Sequence, residues 1–307
     1  MQSNNRKIIA GSGITGLVWK FYHPEFTIIS PENNSTTFNK NYLVWIHDCC
    51  ETRQLIVDLG MKVVPKKSYI GYYHKGWICE SLRTEMNLLI IQKKMTEWDK
   101  RVDTNFTPNV LELSLSSTIS TNYMNTLDVD FSEMIERLKK DITIETGSII
   151  KITNDKIFVK NEDVEKIKEY DILISTMPAP VFWGMYNMPR EFKYLPTTNV
   201  IVDKKPEMFD ERFEMVYYDN ELPFSRISYL NCRYAIEFTG VITKKQFTKL
   251  FPDLRIVDYS IVPYGRIFEK TENVSPQKNI IFSGRFSEWR YGKVLENVIY
   301  QVNNYEK

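Results

Sequence analysis

The chain has 307 residues, and its 40 Lys and Arg against 39 Asp and Glu leave a net charge of +1. That balance gives no general argument for nucleic acid or an anionic membrane surface as partner. The length buries a large core and predicts one or two interleaved domains, and no apolar run reaches the length of a membrane span.

In chain order, Lys7-Ile8-Ile9-Ala10 predicts a β-strand that runs into Gly11-Ser12-Gly13-Ile14-Thr15-Gly16. In a GxGxxG turn the first glycine permits the tight turn and the second lets the backbone approach a pyrophosphate. The third lets helix pack closely on strand. The anion then sits on the N-terminus of the following helix, where free N–H groups and the helix dipole favour it. The context fits: a β-branched strand precedes the turn, an apolar helix start (Leu17-Val18-Trp19) follows, and Phe26-Thr27-Ile28-Ile29 predicts a second strand. Gly11, Ser12, Gly13, Ile14, Thr15 and Gly16 are therefore candidate cofactor contacts. Pro24 ends the helix early. Ser30 stands where an acid usually ends the second strand and binds the adenosine ribose. Glu32, past Pro31, either takes that role or is an ordinary loop acid.

A polar stretch, Asn33 to Thr37, leads to the apolar run Tyr42 to His47, and Glu51 to Leu59 predicts a helix stopped by Gly60. Tyr69 to Tyr73 and Trp77 to Cys79 flank His74-Lys75-Gly76 as a β-hairpin. Residues Arg83 to Arg101 are helix-like. Phe131 to Lys140 predicts an amphipathic helix with Phe131, Met134, Ile135 and Leu138 on one face, and Asp128 and Asp130 before it suit capping better than metal binding. Short strands are expected at Ile142–Ile144, Ser148–Ile152 and Lys156–Val159. The apolar strand from Tyr170 ends on the small-residue turn Ser175-Thr176-Met177-Pro178, which makes Thr176 a candidate cofactor contact. Thr197 to Thr239 alternates as an antiparallel sheet would. Finally, Asn279 to Ser283 forms an apolar strand closing on Gly284-Arg285.

Cys49, Cys50, Cys79 and Cys232 show no CxxC spacing, so reduced, buried thiols in a cytoplasmic protein are expected. The residues up to Arg6 lack the apolar region of a signal peptide. His23, His47 and His74 are too scattered to propose a metal site. The 18 Tyr, 17 Phe and 6 Trp suit a planar-ligand pocket and would equally serve a large core.

The order of these segments resembles the FAD-containing superfamily of amine oxidases, protoporphyrinogen oxidase and UDP-galactopyranose mutase. Tyr217-Tyr218-Asp219-Asn220-Glu221-Leu222-Pro223-Phe224-Ser225-Arg226-Ile227 is similar to the mutase segment ending Val-Pro-Tyr-Thr-Arg-Ile. Gly284-Arg285-Phe286-Ser287-Glu288-Trp289-Arg290-Tyr291 is similar to its Gly-Arg-x-x-x-Tyr-x-Tyr. The resemblance implies an α/β fold: a Rossmann-like FAD-binding domain of the GR2 flavoprotein type with an inserted antiparallel-sheet substrate domain. It places residues 1–50, 135–180 and 275–307 in a discontinuous FAD-binding domain, and 51–134 and 181–274 in the substrate region. Arg226 would then face the diphosphate of a nucleotide-linked substrate. Tyr291 would donate to the same phosphates, Arg285 would lie beside the flavin, and Gly284 would let the backbone approach it. His47 either sits near the flavin or is a hydrogen-bonded core histidine. The chain departs from the mutases in lacking their Gly-Gly pair, since the region reads Glu32-Asn33-Asn34-Ser35-Thr36.

Three functions follow. The first is a flavoenzyme of the mutase-like branch, acting on a nucleotide-linked or phosphate-bearing substrate. The second is a flavin oxidase taking hydride from a C–N bond, with Trp183, Tyr186, Tyr217 and Tyr218 as candidate walls. The third is a non-catalytic dinucleotide-binding protein. A homo-oligomer is left open, and nothing in the sequence supports a nucleic-acid partner.

Overall fold

A computed structural model describes residues 6–31, 45–74, 77–79, 123–192, 194–218, 222–230, 232–267, 274–289 and 295–305. The elements in chain order begin with β1 (Lys7–Ala10), α1 (Ile14–Tyr22), β2 (Thr27–Ser30), β3 (Ile46–His47), α2 (Cys50–Asp58), β4 (Pro65–His74), β5 (Trp77–Cys79), β6 (Tyr123–Leu127) and α3 (Phe131–Lys139). There follow β7 (Ile144–Thr146), β8 (Ser148–Ile152), β9 (Lys156–Asn161), β10 (Val164–Glu169), β11 (Ile172–Ser175), α4 (Ala179–Met185) and β12 (Tyr194–Val202). The chain closes with β13 (Met215–Tyr218), β14 (Arg226–Leu230), β15 (Arg233–Thr239), α5 (Lys244–Leu250), β16 (Ile256–Ile267), β17 (Ile280–Phe282) and α6 (Leu295–Asn303).

The N-terminal strand lies inside a five-stranded sheet of order β17-β11-β1-β2-β7. Every pairing in it is parallel. Strands covered on both faces read as continuous apolar runs rather than alternating ones, which is what Ile8-Ile9-Ala10 does. Ile9 points into a core with Leu17, Val18 and Trp19 of α1, Leu55 and Ile56 of α2, Met134 and Leu138 of α3, and Ile299 of α6. Ile8 and Ala10 point the other way, onto Ile149 and Ile157 of the three-stranded sheet β8–β10 and Phe182 and Trp183 of α4. Thus β17 returns from the far end of the chain to the first strand's sheet, as the sequence implies.

The second body is a nine-stranded sheet ordered β16-β12-β15-β14-β13-β4-β6-β3, with β5 paired to β4. Most of its pairings are antiparallel, but β13 runs parallel to β4, from Met215↔Ile70 to Tyr218↔Tyr73. The expected all-antiparallel sheet is therefore mixed. Val200, Ile236, Ile227 and Val216, register partners in turn, pack with Phe247 and Phe251 of the α5 segment on one face. Strand β3 is hydrogen-bonded into this sheet, although it falls within residues 1–50, whereas α2 and α3 pack beside α1.

Several local expectations hold. The hairpin pairs Tyr72↔Cys79, Tyr73↔Ile78 and His74↔Trp77. Asp130 caps α3 by accepting from the backbone N–H of Ser132 and Glu133, and the four predicted apolar residues of that helix are buried. Others are corrected. The strand expected at Ile142–Ile144 starts only at Ile144, because Asp141 takes a left-handed turn at φ 64° after the helix. Strand β10 was not expected: Val-Glu-Lys-Ile-Lys-Glu is almost wholly exposed, so it carries no burial alternation. Cys50 and Cys232 are exposed and Cys49 half-buried, so these thiols are not the core residues expected. The helix-like stretch Arg83 to Arg101 lies outside the described residues.

Candidate cofactor and substrate site

The glycine turn between β1 and α1 is built as its spacing requires. Gly11 has φ 113°, and a Cβ there would collide with the Thr176 hydroxyl. The Cβ of any larger residue at Gly16 would run into the carbonyl oxygen of Gly11, so helix and turn touch through backbone alone. Gly13 is the N-cap of α1, with extended backbone and no side-chain cap, and no acidic residue occupies the first turn. Ile14, Thr15 and Gly16 thus open a helix whose N-terminus is left uncapped and without a negative charge. Ser12 donates to Ser30 Oγ at 2.8 Å, with both side chains buried, so the residue that ends the second strand is tied to the turn itself. The Thr176 hydroxyl donates to the carbonyl of Ala10 at 2.9 Å, closing β11 against β1.

The returning strand completes this cradle. Ser283 N–H and the Ser287 hydroxyl both donate to the carbonyl of Ser175, at 3.0 and 2.6 Å. Trp19, buried in α1, donates its indole N–H to Ser283 Oγ at 2.7 Å, and Ser283 in turn donates to Gln301 at 2.6 Å. Gly284 has φ 86°, and a Cβ there would lie 2.6 Å from Thr15 Oγ1. Residues 269 positions apart in sequence therefore meet at the mouth of the glycine turn. The segment then folds on itself, with Glu288 N–H donating to the Gly284 carbonyl at 2.9 Å.

From here the turn reaches the larger sheet. Arg285 donates to the carbonyl of Gly265 on β16 at 3.0 Å. Gly265 lacks a side chain because Thr197 of β12 fills that space. Trp289 is fully buried at φ 53°, an unusual backbone state for a bulky side chain. Its ring centroid lies 4.8 Å from that of Phe192, 5.8 Å from Tyr194 and 5.9 Å from Tyr264.

Two residues along β12 from Thr197, on the same face, is Asn199. It begins a polar row that sequence reasoning missed. Ser260↔Asn199, Asn199↔Glu237, Glu237↔Arg226 and Arg226↔Tyr217 are successive register pairs across β16, β12, β15, β14 and β13. The adjacent row, Val200 to Val216, faces the apolar core, so by pleat alternation this one lies on the opposite face. Glu237 is 7% exposed, and the other four are half-buried. Arg226 donates to Glu237 Oε2 at 2.7 Å, and its guanidinium lies 5.9 Å from the Tyr217 ring. Arg226, expected to face a diphosphate, is paired with Glu237 of the neighbouring strand.

His47 of β3 hydrogen-bonds Glu296 of α6 through Nδ1 at 2.9 Å, joining the edge of the larger sheet to the helix that follows the returning strand. That bond raises the imidazole pKa, with burial opposing it. Tyr291 and Glu32 lie outside the described residues. The aromatic walls expected of an oxidase are divided: Trp183 and Tyr218 are buried in separate cores, and Tyr217 is on the polar row. Among the described residues no group of His, Cys, Asp or Glu is arranged to hold a metal ion, and no helix is long and apolar enough to cross a membrane.

No protein-family model matches the chain, and no curated protein matches it. Solved structures do. Reduced UDP-galactopyranose mutase superposes with a TM-score of 0.65 at 12% identity, over 97% of this chain and 94% of the mutase. A CLA-producing fatty acid isomerase from P. acnes gives 0.64 at 12% identity, over 99% and 98% of the two chains. Cyclohexylamine oxidase from Brevibacterium oxydans IH-35A gives 0.59 at 11% identity, over 99% and 100%. At such identities the likeness is one of fold, and the chain has the α/β fold of these three enzymes, with a Rossmann-like parallel sheet and a second, larger sheet.

Proposed function

We propose that the chain is an FAD-dependent enzyme, with the cofactor held by the parallel-sheet unit and the substrate met by the polar face of the larger sheet. The observation that carries this reading is the closure of Gly284 onto Thr15. A dinucleotide turn alone serves many cofactors, whereas a returning strand that lays a glycine-arginine turn against it provides a second contact surface for a long one.

The residues present fit FAD. The uncapped start of α1 suits the pyrophosphate, with Gly11, Gly13 and Gly16 allowing its approach. Ser12 and Ser30 would hold the adenosine part, and Gly284 and Arg285 the flavin part, with Thr176 tying β11 to β1 beneath the turn. When bound, FAD would supply hydride transfer or, when reduced, a nucleophilic ring nitrogen. The protein's own share would be to bind it, to orient it and to offer Arg285 as a fixed cation to the ring. The nucleotide-linked or phosphate-bearing substrate rests on the similarity around Arg226 and Tyr291. Oxidation at a C–N bond is the second reading, supported by the fold shared with cyclohexylamine oxidase.

The test is the visible absorption spectrum of the purified protein with added FAD, before and after dithionite, then with UDP-galactose or a panel of amines. A flavin spectrum is expected. Bleaching by an amine selects the oxidase reading, and perturbation only after reduction, by the sugar nucleotide, selects the mutase-like one. A colourless protein that fails to take up FAD contradicts the proposal and leaves the non-catalytic reading.

A further inference from the structure

Gly284 approaches Thr15 so closely that a small shift of the returning segment would break the contact. Thr15 and Trp19 lie four residues apart on one face of α1, and they touch consecutive residues of that segment. Thr15 meets Gly284, and the Trp19 indole N–H donates to Ser283 Oγ at 2.7 Å. An indole N–H can only donate, so the Ser283 hydroxyl accepts there and sends its own proton elsewhere. It goes to Gln301 Oε1 of α6, at 2.6 Å. With that oxygen accepting, the other end of the amide is the donor, and Gln301 Nε2 bonds the carbonyl of Phe282 at 2.9 Å. Gln301 thus grips two consecutive residues just before Gly284, one by side chain and one by main chain. Trp19 and Ser283 are fully buried and Gln301 half-buried, so breaking the chain of bonds strands polar groups inside the protein. The helix that grips is itself anchored. Val298, Ile299 and Val302 of α6 are buried in the same core as Trp19, and His23 at the end of α1 donates to the carbonyl of Val302 at 3.1 Å. Tyr305, just past α6, sets its ring edge-on to Trp19 with centroids 5.3 Å apart.

We propose that Gln301 is a positioning residue. Acting through Ser283, it holds the Gly284-Arg285 turn at the distance from Thr15 that the flavin half of the cofactor needs. The role toward the cofactor rests on the FAD reading, whereas the hold on the turn is a property of the chain alone. Ser12, Ser30 and the glycine turn make no bond to Gln301, so the adenosine half should not feel its loss.

The test compares the wild type with Gln301→Leu, which keeps a side chain of similar size and removes both bonds. The first measurement is amide hydrogen exchange without cofactor. The Ser283 and Glu288 N–H groups, bonded to the carbonyls of Ser175 and Gly284, are expected to exchange about tenfold faster in the variant, while β1 is unchanged. No change at Ser283 and Glu288, or an equal change in β1, would overturn the proposal. The second measurement titrates both proteins with FAD and with ADP, which lacks the flavin half. The variant is expected to bind FAD about tenfold more weakly and ADP within about twofold of the wild type. Equal loss of both ligands, as general destabilisation would give, overturns the positioning role. Trp19→Phe, which keeps the ring and removes the N–H, is expected to give the same pattern at smaller size and serves if Gln301→Leu folds poorly. A wild type that takes up no FAD counts against the FAD reading, and the exchange comparison then decides the hold on the turn by itself.

Discussion

The two surfaces that meet at the candidate site are made in opposite ways. The parallel-sheet side is built from absence: Gly11, Gly16 and Gly284 each leave a space that a neighbouring atom occupies, and the helix start carries no cap. The larger sheet's side is built from presence, a row of polar side chains assembled by strand register. Backbone and glycine make a surface that tolerates little change. Side chains in register make one that can be rewritten residue by residue to take a different substrate. The solved structures with this fold act on a sugar nucleotide, a fatty acid and an amine by their names, which is the variation such a division permits.

The comparison can be sharpened by mutation. The largest effect is expected at the row. Arg226→Ala removes the guanidinium that meets the buried Glu237 carboxylate and should cost about 2–4 kcal/mol, measured by denaturant unfolding. The double variant Arg226→Met with Glu237→Leu should recover most of that stability, because the buried charge is gone. Failure of the double variant to recover would show that the row is held by more than this pair. A smaller effect is expected at His47. Its pKa is raised in the folded protein by Glu296, so its contribution is full below the unfolded value of about 6.5 and is lost as pH rises through the folded pKa. With His47 at 40% exposure the contribution should not exceed about 1 kcal/mol. The stability difference between wild type and His47→Gln should therefore shrink from pH 6 to pH 9, and a difference that grows with pH would contradict the assigned partner.

How much of this was legible beforehand follows from the same contrast. The glycine turn could be read because only glycine satisfies a left-handed or side-chain-free position, and the requirement is local in sequence. The return of β17 was legible as an apolar strand closing on Gly284, and α3 as a periodic apolar face capped by Asp130. The polar row was not. Asn199, Tyr217, Arg226, Glu237 and Ser260 are scattered through the chain, and only strand register makes them neighbours. Arg226 could be singled out by its motif, yet the charge that offsets it lies 11 residues away on the next strand. Trp289 gave no local sign of its left-handed backbone or of its place against Phe192, Tyr194 and Tyr264. The parallel pairing of β13 with β4 joins segments more than a hundred residues apart, which a reading of local alternation does not reach.

The most direct measurement of the central claim is FAD titration of Gly13→Asp beside the wild type, with the melting temperature of each protein read without cofactor. Gly13 already has the extended backbone of an N-cap, which aspartate also adopts, and the new carboxylate would cap α1. The account predicts a cofactor-free melting temperature as high as or higher than the wild type's, together with FAD affinity at least about a hundredfold weaker, as the carboxylate occupies and repels at the pyrophosphate's position. A variant that folds as stably and binds FAD as tightly as the wild type would contradict the assignment of the cofactor to this turn.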